Sequence, residues 1–286
     1  MEEQQWQVEI KPKTGWFDID VKGLLHYIDL IKLFVRRTFV AKYKQTVLGP
    51  AWAIIQPFFT TIVYSVFFGS IAGLGAAGTP NFIFYLSGTI MWGLFAGCLH
   101  DSANTFIGNA GILGKVYFPR LVMPIASTIS QFISFFIQFA FLLIFLVYYT
   151  VTGAGVAPNL YILMTPLLLI QTALLGLGFG TIISSMTTKY RDLVMLVSFG
   201  VSLWSYCSPV AYDMFSRGGI APGDRFYNIY MLNPVTPIIN IFRYGYLGIG
   251  GIDWIFYIIS WIATIIILGI GIMLFSRVEK TFMDTV

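Results

Sequence analysis

From position 50 onward the chain reads as long apolar runs separated by short polar punctuation. Pro50–Ile71 holds no Asp, Glu, Lys, Arg or His, and comparable runs follow at Asn81–Ala103, Leu121–Tyr149, Leu160–Met186, Leu193–Ala211 and Trp254–Phe275. About 20 apolar residues suffice to cross the hydrocarbon of a bilayer as a helix. The pattern therefore predicts an all-α polytopic membrane protein with six transmembrane helices. The short alternating segments of a membrane barrel are missing. Pro50 suits the first turn of a helix; Pro57 lies inside the first run and should kink it, and Pro209 breaks the fifth run late. Leu121–Tyr149 exceeds the length needed, so it should tilt or protrude.

Before the first run the period is helical but the faces differ. Over Val21–Val47, Leu24, Ile28, Ile31, Val35 and Phe39 share one face. His26, Asp29, Arg36 and Arg37 lie mostly opposite, with Lys32 towards the edge. A basic amphipathic helix of this kind lies along a membrane surface, or packs on a partner subunit as an interface helix. Residues 1–20 form a cytoplasmic lead-in without assignable structure. The two expected units are thus 1–48, lead-in plus amphipathic helix, and 49–286, the transmembrane domain. The boundary stretch Lys42–Trp52 passes from basic residues through Gly49-Pro50 to an interfacial tryptophan.

Two connections stand out. Asn104–Arg120 is polar and broken by Gly108, Gly111 and Gly114, with a short helix expected inside it. The segment 212–252 carries Asp213, Arg217, Asp224, Arg225 and Arg243 together with Pro222, Pro234 and Pro237. Its apolar part, Pro237–Leu247, is too short to cross and has Arg243 in its middle. Short re-entrant helices before the last span, dipping in and returning against protein, fit that pattern.

Composition agrees. Apolar residues make up 57% and charged residues 10%, where a soluble domain carries about 25% charged. The formal charge of +4 is not a nucleic-acid signature, because the basic residues flank the apolar runs. Of the 17 Lys and Arg, all but Arg217, Arg225 and Arg243 fall in the amino-terminal segment, the 104–120 connection, the 187–192 turn or the 276–286 tail. The positive-inside rule then places both termini in the cytoplasm. Met1–Ile10 has no signal-peptide core, so the first span is expected to act as its own insertion signal. Cys98 and Cys207 both sit in apolar segments and read as core residues, with no disulfide or metal framework.

Candidate chemistry is sparse. Gly111-Ile-Leu-Gly-Lys115 is too short for a phosphate-binding loop and continues into Val116, so no nucleotide site is expected in this chain. There is no HExxH, paired CxxC or Gly-x-Ser-x-Gly. His100-Asp101 is the one histidine–acid pair; adjacent helical residues diverge, and a structural or water-exposed vestibule role is expected. No acidic relay runs through the spans. Aromatics are abundant instead: Phe82, Phe84, Tyr85, Trp92 and Phe95 in the second run, Trp204 and Tyr206 in the fifth. Most such residues face lipid or core, but aromatic faces also stack on sugar rings. Tyr85, Trp92, Phe95, Trp204 and Tyr206 are the candidates to line a sugar conduit.

Lys42-Tyr-Lys-Gln-Thr-Val-Leu-Gly-Pro-Ala-Trp52 with Gln56-Pro57, Asn109-Ala-Gly-Ile-Leu-Gly-Lys-Val-Tyr-Phe-Pro-Arg120, Lys189-Tyr-Arg-Asp192, Ser208-Pro-Val210 and Leu232-Asn-Pro-Val235 with Phe242-Arg243 occur in that order. This set resembles the permease subunit of polysaccharide ABC exporters, which move O-antigen, capsule or teichoic acid chains. The resemblance implies a multi-pass plasma-membrane homodimer working with two cytoplasmic ABC ATPase subunits. ATP and magnesium would belong to the ATPase, leaving no cofactor in this chain. The substrate implied is a polysaccharide on a polyprenyl diphosphate. Asn109, Gly114, Lys115, Tyr117, Pro119 and Arg120 would then belong to the ATPase-coupling element. The 212–252 segment, with Asn233, Pro234 and Arg243, would form the outer gate. Arg36, Arg37, Lys42 and Lys44 at the inner mouth would meet the lipid diphosphate, their plainer role being topology and contact with anionic lipid. Two alternatives stay open: an ABC exporter subunit for a drug or lipid, and an integral-membrane transferase acting on polyprenyl-linked sugars.

Overall fold

The computed structural model describes residues 27–44, 46–113, 118–187, 192–213 and 225–281. Among the described residues the regular structure is helical throughout. We number the α-helices α1 (Ile28–Tyr43), α2 (Trp52–Tyr64), α3 (Asn81–Ala103), α4 (Thr105–Leu113), α5 (Val122–Val151), α6 (Thr165–Thr187), α7 (Leu193–Tyr206), α8 (Arg225–Met231), α9 (Val235–Leu247) and α10 (Trp254–Thr281).

Five helical stretches are long and apolar enough to cross a membrane: Gly49–Ile71, Asn81–Ala103, Val122–Val151, Leu160–Thr187 and Trp254–Val278. The fifth run of the sequence differs. Its helix, α7, has 14 residues, about 21 Å at 1.5 Å per residue, short of the roughly 30 Å of hydrocarbon. The chain leaves the helix at Tyr206 and turns through Cys207–Val210. Cys207 is exposed on that turn, not buried as its apolar context suggested, whereas Cys98 is buried.

Glycine lets the central helices touch. A Cβ on Gly176 of α6 would lie 2.9 Å from Phe95 O of α3, and one on Gly180 would lie 2.7 Å from Leu99 O. On the other side of α6, a Cβ on Gly178 would meet Leu268 N of α10 at 2.9 Å. Between apolar helices in lipid, close backbone approach at small residues replaces the hydrophobic drive available in water. α3, α6 and α10 are thereby locked into a central layer. α3 is correspondingly the most enclosed span, with 67% of its apolar window buried, against 6% for Gly49–Ile71.

The first span opens with a 3₁₀ turn at Gly49–Ala51 and closes with a π-helical stretch, Ser65–Ile71. The wide turn shows in Ala72 N–H, which donates to Phe67 O at 2.9 Å. The α-helix continues through Pro57, and the π-helical departure falls at Ser65 and beyond.

α5, at 30 residues, extends about 45 Å and exceeds the bilayer core. Its amino-terminal end anchors α1. The buried edge of α1 is Ile31, Phe34 and Tyr43, while Ile28 is 47% exposed. That face is rotated from the Ile28–Ile31–Val35–Phe39 stripe, because Phe34 finds the Phe118 ring 5.7 Å away and Tyr43 reaches Ser134 of α5. α1 therefore packs along its own chain's α5. Phe106 of α4 stacks on Phe275 of α10 at 4.7 Å in the same corner.

The opposite end is built from loops and the two short helices. α9 is buried at every position but Tyr244. Its last turn is capped by the chain ahead of α6: Asn159 N–H donates to Gly245 O at 2.9 Å, Ala157 N–H to Leu247 O at 3.2 Å, and Asn159 Nδ2 to Tyr244 O at 2.8 Å. Gly248, at φ +74°, supplies the left-handed residue that ends the helix.

Candidate functional sites

The break at the end of α7 leaves carbonyl groups without helical partners, and two side chains from the α8–α9 segment take them up. Asn233, in the turn between α8 and α9, donates through Nδ2 to Ser208 Oγ at 2.9 Å and to Cys207 O at 3.1 Å. Its Oδ1 accepts from Trp204 Nε1 and from Val235 N–H, both at 3.2 Å. The same amide thus starts α9 and closes α7. Pro234 O accepts from Ser260 Oγ at 2.6 Å, and Ser260 accepts from Gln171 Nε2 at 2.8 Å. That line ties the first turn of α9 to α10 and α6.

Arg243 completes the clamp. It is 4% exposed. Nη1 donates to Pro209 O; Nη2 donates to Val210 O at 3.1 Å and to Phe84 O at 3.3 Å. The guanidinium lies 3.8 Å from the Phe84 ring centroid. A planar fork with fixed donors suits several carbonyls at once, and the aromatic face adds a cation–π contact. Gly88, one turn along α3 from Phe84, leaves the space: a Cβ there would fall against Nη2 and 3.2 Å from Val210 O. A charge inside a membrane protein is costly unless partnered and marks function by default. Asn233, Pro234 and Arg243, named from sequence, are brought together here. Ser208 belongs to the Ser208-Pro-Val210 motif already noted in the sequence; Gly88 and Ser260 were not foreseen, and nothing in their own sequence context distinguishes them.

At the other end, Asn109 turns inward on its own helix, Nδ2 donating to Thr105 O at 3.1 Å. Pro119 O and Arg120 O accept from the first N–H groups of α5, Val122 at 3.0 Å and Met123 at 3.1 Å. Arg120 is buried, at 7% exposure. Gly114, Lys115 and Tyr117, and the Lys189–Arg191 turn, lie outside the described residues. Arg36, Arg37, Lys42 and Lys44 are all exposed on α1 and its end. Lys42 Nζ donates to Ser134 Oγ at 3.5 Å, and Tyr43 OH meets the same oxygen at 3.1 Å.

His100 and Asp101 diverge. Asp101 accepts a hydrogen bond from Gln131 Nε2 of α5. Gln131 lies over Gly97, where a Cβ would come within 2.8 Å of its amide carbon. Gln131 and Gln171 were not named from sequence; the signal that marks them is a glutamine inside an apolar span, where an amide must find a partner.

Of the aromatic candidates, Trp92, Phe95 and Trp204 meet in one group: Trp92–Trp204 at 6.1 Å and Phe95–Trp204 at 5.1 Å, with Phe179 of α6 5.1 Å from Trp204. Tyr85 and Phe95 have no exposed surface. In this conformation both are interior packing residues and neither faces an open path. Trp92 and Trp204 are half-buried, and Tyr206 is 53% exposed.

Among the described residues the structure is a bundle of helices, five stretches of which are long and apolar enough to cross a membrane. The chain belongs to the ABC-2 type transporter family, whose profile matches residues 29–247. It is a multi-pass plasma-membrane permease that works with an ABC ATPase, and not an enzyme. It is similar to the O-antigen export system permease protein RfbA of Klebsiella pneumoniae, 27% identical over 271 residues, covering 93% of this chain and 98% of the relative. A second Klebsiella pneumoniae protein of that name is 26% identical over 266 residues, covering 92% and 96%. One from Myxococcus xanthus is 25% identical over 195 residues, covering 68% and 72%.

Proposed function

We propose that this chain is the membrane subunit of an ABC exporter that moves a polyprenyl-diphosphate-linked polysaccharide of the O-antigen kind across the plasma membrane. The observation that carries the reading is end-to-end similarity to O-antigen export permeases over 93% of the chain. The chain crosses six times, α7 with the turn after it serving as the fifth crossing, and both termini are cytoplasmic. Residues 1–48 form the lead-in and interface helix, and 49–286 form the transmembrane domain. Two copies make the channel, through which polymer passes, on a pair of ATPase subunits that bind ATP and magnesium. The weakly enclosed first span supports a lateral partner, either lipid or the second copy.

The connection 104–120 couples to the ATPase, and the α8–α9 segment closes the outer end. Their placement at opposite ends of the bundle, with the basic residues gathered at the α1–α4 end, supports that assignment. Arg36, Arg37, Lys42 and Lys44 receive the lipid diphosphate at the inner mouth. Trp92 and Trp204, half-buried in the aromatic group, are the side chains best placed to meet sugar rings.

Deletion of the gene tests the reading. Surface polysaccharide is lost and lipid-linked polymer accumulates inside; the wild-type chain with its ATPase restores export, and an ATPase unable to hydrolyse ATP does not. Normal surface polymer in the deletion strain overturns the proposal. Drug or lipid retention in its place favours the drug or lipid exporter. Sugar transfer by the purified chain without any ATPase favours the transferase.

A further inference from the structure

Lys42, the penultimate residue of α1, is held by the bundle as well as facing solvent. Its Nζ donates to Ser134 Oγ of α5 at 3.5 Å, longer than the usual N–H···O range. Gln131 lies one turn ahead of Ser134 on the same face of α5. Its Nε2 donates to a carboxylate oxygen of Asp101, in the last turn of α3. Lys42 and Asp101 thus reach the same stretch of α5 from two different helices. Lys42 and His100 are the basic groups whose charge acts on that carboxylate; His100 is its chain neighbour and diverges from it around α3. Ser134 is buried and Asp101 half-buried, while Lys42 is exposed.

An ammonium carries three donors and no acceptor. The Ser134 hydroxyl takes one of them, loosely. The Asp101 carboxylate attracts the charge across a partly buried gap, where screening is weaker than in open water. A diphosphate offers the same ammonium short, charge-assisted hydrogen bonds. It must first draw Lys42 away from this resting position. A binding group that is held elsewhere for part of the time lowers the apparent affinity in proportion to the fraction left free. Asp101 does not follow Lys42 when it leaves, because Gln131 ties its carboxylate to α5.

We propose that Asp101 is a built-in competitor of the lipid diphosphate for Lys42, and so sets the substrate concentration at which the transporter responds. The inference rests on the reading given above, that the basic residues of α1 receive the diphosphate, and it adds a regulator to that site. It also gives substrate binding a structural consequence. When Lys42 leaves Ser134, the polar hold of α1 on this part of α5 falls to the Tyr43–Ser134 hydrogen bond of 3.1 Å.

The test measures ATP hydrolysis by the assembled transporter in phosphatidylcholine nanodiscs as undecaprenyl diphosphate is added. Asp101→Asn removes the charge and keeps an acceptor for Gln131. The expected result is a several-fold lower half-maximal concentration, without a matching change in the maximal rate. Lys42→Gln raises the half-maximal concentration several-fold, and in that background Asp101→Asn has no further effect. If Asp101→Asn does not assemble, Ser134→Ala takes its place: it removes the hydroxyl that holds Lys42 and shifts the half-maximal concentration in the same direction. An equal gain with and without Lys42 means plain repulsion between two anions and overturns the competition. So does an unshifted half-maximal concentration in the variant that assembles, a change confined to the maximal rate, or an equal response to phosphatidylglycerol, which makes the ligand any anionic headgroup. A wild-type transporter indifferent to undecaprenyl diphosphate at every concentration overturns the diphosphate reading of α1 itself. That outcome is distinct from an unshifted variant of a transporter that does respond.

Discussion

Asn233 donates to Ser208 Oγ at 2.9 Å while its own Oδ1 accepts from Trp204 Nε1 at 3.2 Å. One amide therefore grips both the last helical turn of α7 and the first residues beyond it. α7 is short because its continuation is held by side chains from elsewhere, and the α8–α9 segment cannot shift without releasing those bonds.

Asn233→Leu removes every one of these bonds at similar volume. It should cost about 1–3 kcal/mol, read as a lower midpoint of thermal unfolding in detergent, with export reduced. Asn233→Asp keeps the acceptor for Trp204 and Val235 and loses the donor to Ser208, so it should fall between. An Asn233→Leu chain with wild-type melting and export would show that the clamp is incidental.

Arg243 and Gly88 should behave as one unit. Arg243→Lys supplies a point charge that cannot span the carbonyls of Phe84, Pro209 and Val210. Gly88→Ala places a methyl where the guanidinium sits. Both should expose the α9 region to protease or to exchange of amide hydrogens, and both should lower export. Protection of α9 unchanged in Gly88→Ala argues against the coupling.

The Asp101–Gln131 bond joins α3 to α5. In a double-mutant cycle with Asp101→Leu and Gln131→Leu, contacting residues should show a coupling of about 0.5–3 kcal/mol. Gly97→Ala, which crowds the Gln131 amide, should reproduce the Gln131 single variant. Additive effects would mean the two side chains do not act together.

Replacing Arg36, Arg37, Lys42 and Lys44 with glutamine, while insertion is verified, should reduce stimulation of ATP hydrolysis by lipid-linked substrate. The basal rate should hold. Equal stimulation at every substrate concentration would remove these residues from substrate recognition.

Coupling is tested by Lys115→Glu, which should weaken assembly with the ATPase or separate hydrolysis from export. Normal export at a normal subunit ratio counts against it. Arg120→Glu is a different experiment. Arg120 is 7% exposed, so the variant buries a carboxylate where a cation stood, and the expected result is loss of the protein from the membrane.

The spans were legible because hydropathy over twenty residues is a sum to which each side chain contributes independently. Four run ends, at Ile71, Asn81, Ala103 and Leu160, coincide with helical or 3₁₀ boundaries for that reason. Pro209 marked a late break in Leu193–Ala211, but the end of α7 at Tyr206 was not legible, because the run carries no Asp, Glu, Lys, Arg or His and the turn after it is held by Asn233 and Arg243, remote in sequence. The buried face of α1 was misjudged by less than a turn: periodicity gives the existence of a face, but Phe118 and Ser134 decide its rotation. Asn233, Pro234 and Arg243 could be picked out as polar or rigid residues in apolar surroundings. Gly88 could not, since its role is the space it leaves for a side chain on another helix. Tyr85 and Phe95 show the converse. An aromatic in a span has the same sequence appearance whether it lines a path or fills the interior, and these two fill the interior.

α5 carries more length than the bilayer requires, and its surplus lies where α1 and the Phe118–Leu121 corner rest against it. Its main-chain ladder runs unbroken from Val122 to Val151. Such a rod transmits displacement with little loss, since bending it strains many hydrogen bonds together. A displacement applied to α1 or to the Phe118–Leu121 corner would be carried along this rod toward Tyr148–Val151, with no loop in between to absorb it.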